Sequence, residues 1–191
     1  MLLIYIMKII IIMLFTSLLF SEEKYKEPTY KLIEQKGNIE IREYNQYVIA
    51  KTSMKISDNK EDNNMFRTLA GYIFGNNNTN ESIPMTAPVT MYDNDNTQTM
   101  IFYMLDAKTT YDLPIPDNKN IKLENFNLGK CAVIKFSWFT SDYKVSRYKE
   151  KLKNFLSDNN LIALSPYMLN RYDPPWRMPF MRRNEIIVQI K

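Results

Sequence analysis

The chain contains no histidine in its 191 residues, and a single cysteine, Cys131. The first absence removes the commonest general base, the commonest metal ligand and every Ser-His or Cys-His pairing. The second excludes an intrachain disulfide and a cysteine-based zinc site. Glycine is scarce, 4 residues beside 9 prolines, which argues against a low-complexity chain. Charge of one sign is lacking too. Lys+Arg number 25 against 21 Asp+Glu, and the resulting +4 is too mild to mark a nucleic-acid partner. The carboxylates Glu40, Glu43, Asp173 and Glu185 show no spacing that indicates an acid/base pair, so an enzyme is not expected.

What is present reads as one globular domain behind a leader. Hydrophobic residues make up 45% and charged residues 24%, ordinary values for a packed core. Met1–Phe20 is apolar apart from Lys8, Thr16 and Ser17. From Met7 onward it has a short basic lead, an apolar run Ile9–Phe20 and a cleavage position at Ser21. Residues 1–21 are therefore expected to be a signal peptide, with an uncleaved anchor as the alternative. Export to the periplasm, cell envelope or extracellular space follows, with membrane contact only through this segment if it is retained.

Hydrophobic periodicity divides residues 22–191 into elements. Strands are expected at Ile39–Tyr44, Tyr47–Met54, Thr99–Leu105, Ile121–Glu124, Cys131–Phe139 and Glu185–Ile190. Ile83–Met91 and Leu161–Leu169 read as extended segments interrupted by proline. One helix carries Met65, Phe66, Leu69, Ala70 and Ile73 at helical spacing, opens near Asp58–Asp62 and stops at Gly75. A second carries Val145, Tyr148, Leu152, Phe155 and Leu156. Strand, helix, strand and strand recur at nearly constant offset, over about residues 30–110 and 118–191. The expected fold is α+β: two duplicated units pairing into one twisted antiparallel sheet or closed barrel, with both helices outside.

Tyr172–Glu185 is the most distinctive stretch. Its prolines stiffen a loop that presents Trp176, Met178 and Phe180 among Arg177, Arg182 and Arg183. Such a loop suits a flat, apolar, anionic ligand; a packed hairpin loop with solvated arginines accounts for the same residues.

Two segments resemble motifs of the SOUL family of heme-binding proteins. Ile83-Pro84-Met85-Thr86-Ala87-Pro88-Val89 is similar to its methionine-threonine-proline strand, and Tyr172-Asp173-Pro174-Pro175 followed by Arg182-Arg183-Asn184-Glu185-Ile186 to its C-terminal signature. The resemblance runs over about residues 30–190. It implies a distorted β-barrel of two related halves that binds heme or another tetrapyrrole, without catalysis, in a hydrophobic cleft beside the first helix. Residue by residue, it places Phe66, Leu69, Ala70 and Ile73 on the cleft wall and Arg177 against a propionate; the loop's own apolar residues Trp176 and Met178 are added as further ligand contacts. A lysine that some members carry on that helix is Gly71 here. Ordinary helix-to-sheet packing accounts equally for the helix stripe. With no histidine, the iron has only Cys131, a methionine or a tyrosine for a protein ligand, and Cys131 in an apolar strand reads as a small hydrophobe. An amphipathic ligand other than heme, such as a lipid or effector, is the alternative.

Overall fold

The computed structural model describes residues 25–56 and 62–191. The expected leader at 1–21 and most of the acidic start of the first helix lie outside the described residues. Among the described residues, nine strands and two α-helices follow in order. They are β1 (Tyr30–Lys36), β2 (Ile39–Tyr44), β3 (Gln46–Lys55), α1 (Asp62–Ile73), β4 (Val89–Asn94), β5 (Thr97–Met104), β6 (Lys122–Asn127), β7 (Lys130–Phe136), α2 (Asp142–Asp158), β8 (Met168–Arg171) and β9 (Asn184–Gln189). All strand pairings among these elements are antiparallel. The spatial order is β1-β2-β7-β9-β8-β4-β5-β3-β6.

This order corrects the expected closed barrel. β1 and β6 are its two ends and do not pair with each other, so the sheet is open. Leaving β1 aside, the order is mirror-symmetric. β7-β9-β8 with α2 faces β4-β5-β3 with α1, and β2 and β6 each flank the other half's central strands. The halves meet across β4 and β8, where Thr90 and Asn170 pair and their buried side chains share a 2.7 Å hydrogen bond.

Strand alternation sorts the apolar side chains into three clusters. On one half, Val48, Ala50, Met100, Phe102 and Met104 pack under Met65, Leu69, Tyr72 and Ile73 of α1. On the other, Ala132, Ile134, Phe136, Ile186 and Val188 pack under Leu152 and Leu156 of α2. Residues of opposite orientation, among them Ile49, Ile101, Tyr103, Cys131, Val133, Met168 and Ile187, form the third cluster, drawn from both halves. Each half thus covers one sheet face with a helix and shares the other face.

Helix α1 ends as its composition predicts. Gly75 adopts φ +110°, a region that side chains strain to reach. Its N–H and that of Asn76 donate to the Tyr72 and Gly71 carbonyls, the Schellman pattern that satisfies the last turn. The proline-interrupted segments pair less than expected. Strand begins only at Val89 in the first and Met168 in the second. Before them, single bridges at Thr86 and Ala163 are what remains of the ladder. The seven residues of β1 were not expected as strand: all are exposed, so no buried face imposed a period on them.

Candidate ligand site: an aromatic corner on the second half

The residues expected to line a cleft divide sharply. Leu69 and Ile73 are 0% and 1% exposed, their surface taken by the α1–sheet core. Ala70 is half-buried. Phe66 is 39% exposed, its ring edge-on to Phe102 at 5.4 Å. On the C-terminal loop, Trp176 and Met178 stand open at 82% and 60%. Arg177 is turned back into its own loop, ion-paired with Asp173 at 3.1 Å and donating from Nε to the Met181 carbonyl.

The loop's contacts run to the β7–α2 connection. The Trp138 N–H donates to the Pro179 carbonyl at 2.9 Å, and Asn184 Nδ2 donates to the Trp138 carbonyl at 2.9 Å. These bonds hold Trp138 at φ +82°, an unfavourable backbone for so bulky a side chain. Its ring nevertheless remains half-exposed, with Lys144 Nζ 5.8 Å from the ring centre. Arg182 lies over the Phe139 ring at 5.0 Å while donating to the Arg177 and Pro175 carbonyls. Trp138, Phe139, Trp176, Met178, Phe180 and Met181 therefore crowd one corner, each at least half exposed. Trp138 and Phe139 had read as the end of strand β7, which stops at Phe136. Nothing in the local sequence distinguishes that continuation from the turn.

The motif ends flanking this corner are architectural. Asp173 accepts the Arg183 backbone N–H, and the Arg183 guanidinium stacks 3.5 Å from the Tyr172 ring centre while pairing with Glu27. Glu185 reaches away from this loop. Its partner is Arg42 of β2, which is 0% exposed and binds both Glu185 oxygens at 2.9 and 3.0 Å. Arg42 also donates to Glu40 and to the Tyr44 hydroxyl at 2.7 Å each, and stacks over the Tyr30 ring. Tyr172 donates to Glu185, and Lys135 to Glu40. Burial alone would pull the Arg42 pKa down, but its bonds and charge contact with Glu185 hold it above the ordinary value. Burial pushes Glu40 up, yet Lys135 and Arg42 together outweigh that and leave it below 4.5. Its contribution to stability is present above that value and is lost as pH falls below it.

The opposite sign holds for the buried tyrosines. Burial raises the Tyr44, Tyr103 and Tyr172 hydroxyls above their ordinary 10.0, and lifts Tyr72 to about 12. A raised acid pKa contributes stability below pH 10 and loses it as pH climbs toward the folded value. In an alkaline absorbance titration, these tyrosines should ionise late and together with loss of the far-UV circular dichroism. Ionisation of all 13 tyrosines near pH 10 with the fold intact would contradict this burial.

Cys131 is sealed within the third cluster at 0% exposure, its thiol donating to the Leu128 carbonyl. Burial pushes that thiol up to about 12, so it is a protonated hydrophobe at neutral pH. Among the described residues no group of three or more His, Cys, Asp or Glu is placed to hold a metal. No helix among them is long and apolar enough to cross a membrane. A concavity of about 310 Å³ lies elsewhere, lined by Lys51, Thr52, Ser53, Lys119, Asn120 and Lys122, a polar wall unsuited to an apolar ring.

The fold is an open antiparallel sheet with a helix on each half and an exposed apolar corner beside its last strand. The family described as SOUL heme-binding protein matches residues 25–189, and the chain belongs to that family. The search of curated sequences found no match. Three similar solved structures share the fold at low identity. An uncharacterized conserved protein from Listeria innocua has TM-score 0.61 and 12% identity, over 82% of this chain and 93% of its own. A hydrolase from Listeria innocua has TM-score 0.57 and 12% identity, over 83% and 94%. The EcmrR C-terminal domain has TM-score 0.58 and 11% identity, over 85% and 98%.

Proposed function

We propose that this protein binds heme or a related tetrapyrrole on the aromatic corner, as a carrier, buffer or scavenger and not as an enzyme. Membership of a family described as heme-binding, across residues 25–189, is the observation that carries this reading. The side chains present fit a porphyrin. Trp176 and Met178 offer apolar surface for its faces, worth about 25 cal/mol per Å² buried. Arg177 would meet a propionate through a charge-assisted bond after loosening its pair with Asp173. For the iron, Met178 and Met181 present exposed thioethers, whereas Cys131 is enclosed. The apolar sequence Met1–Phe20, read as a signal peptide or anchor, favours placement in the cell envelope or outside the cell. The mirror-symmetric strand order supports an origin by duplication of residues 30–110 and 118–191.

With no histidine to ligate it, iron should add little to affinity. Hemin and protoporphyrin IX are expected to bind comparably in absorbance titrations of the purified protein. A strong preference for hemin would contradict iron-independent binding. The lack of histidine also favours a second reading, an amphipathic ligand without iron or porphyrin; no Soret shift with either compound would replace the first reading with it.

A further inference from the structure

We propose that the aromatic corner is also a membrane-docking surface, seating on an anionic lipid bilayer with Trp138, Phe139, Trp176 and Phe180 in the headgroup region. Exposure carries the first part of the argument. These side chains are 52%, 57%, 82% and 58% exposed, and monomeric proteins rarely gather so much apolar surface without a partner. Tryptophan and phenylalanine beside cations form the composition that settles at a membrane–water interface. Lys144 sits against the Trp138 ring and Arg182 over Phe139, so cations rim the apolar surface where lipid phosphates would lie. Asp142 at the start of α2 is a nearby acid, while Asp173 is occupied by Arg177 and Arg183. The strained backbone of Trp138 is a further sign, since the turn holds a large ring outward.

The second part comes from where the chain enters the domain. Glu27, two residues after the first described one, pairs with Arg183 at 2.5 Å, at the base of this same loop. The first described residues thus lie at the base of the corner's loop, and residues 1–24, apolar over Met1–Phe20, precede them in the chain. With that segment retained as the anchor of the alternative reading, the chain enters the domain from the bilayer on the side of the exposed rings. Docking needs no tetrapyrrole, so vesicles without one test it separately from the function proposed above.

The chain's 2 tryptophans are both at the corner, and their emission reports it directly. The full chain, residues 1–191, is to be reconstituted with phosphatidylcholine/phosphatidylglycerol vesicles carrying brominated acyl chains. Blue-shifted emission, quenched by the bromines, is expected, with a weaker effect when phosphatidylglycerol is left out. The double variant Phe139→Glu/Phe180→Glu keeps both tryptophans and should lose most of the quenching while remaining on the vesicles through its N-terminal segment. Its circular dichroism and melting temperature should match the parent, because both rings are exposed. Water-like, unquenched emission from the vesicle-bound parent chain would overturn the proposal. So would a shift that follows protein concentration and not lipid, which would assign the corner to a second copy.

Discussion

Replacing Arg42 with alanine should cost about 3–5 kcal/mol of stability, the penalty for leaving a buried carboxylate without its partner. The residue is fully enclosed, and its guanidinium joins Glu40, Tyr44 and Glu185 across β2 and β9. Removing it strands Glu185, which is 1% exposed and retains a hydrogen bond from Tyr172. For a domain of this size the loss corresponds to a fall in melting temperature of roughly 6–20 °C. Thermal melts of the variant would read it. The double replacement Arg42→Met/Glu185→Leu removes both charges and should recover much of the loss, because well-packed apolar residues often equal a buried pair. A variant with unchanged melting temperature would show that the pair is not enclosed as described.

The second large effect separates core from site. Leu69→Ala should lower stability by about 2–5 kcal/mol, because a fully buried side chain leaves a cavity between α1 and the sheet. Its effect on tetrapyrrole affinity should be negligible, measured below the melting transition. Trp176→Ala should do the reverse. At 82% exposure its removal leaves stability within about 0.5 kcal/mol, while affinity falls by about 1–2 kcal/mol, roughly ten-fold. Loss of affinity in Leu69→Ala with the fold intact would instead place the ligand against α1. Paired melting and titration data on the two variants decide between these positions.

Much of this architecture was legible before any coordinates. Alternation locates β2 and helical spacing locates both helices, whereas apolar runs mark β5, β7 and β9, which are buried on both faces. Gly75 is recognisable as a helix stop because few other residues accept its backbone angle. What escaped lacked a local cause. β1 is exposed along its length, and closure of the sheet depends on how distant edges meet. The helix stripe was ambiguous for a physical reason: a side chain against a sheet and one against a ligand obey the same period. The Arg42–Glu185 pair joins residues far apart in the chain through strand register, and neither segment alone announces it. Trp138 is exposed because a turn interrupts an otherwise plausible strand, and that turn is held by bonds to Pro179 and Asn184. The exposure of Trp176 and Met178 stays open in the sequence, because a proline-stiffened loop can either present its apolar side chains or pack them.

The most direct test of the account is to titrate the purified protein with protoporphyrin IX in the absence of lipid and follow tryptophan emission. With both tryptophans on the corner, saturable quenching at one ligand per chain is expected, weakened in Trp176→Ala as the affinity falls. Porphyrin binding that saturates by absorbance yet leaves tryptophan emission unchanged would place the ligand elsewhere on the molecule. No binding by either readout would contradict the account outright.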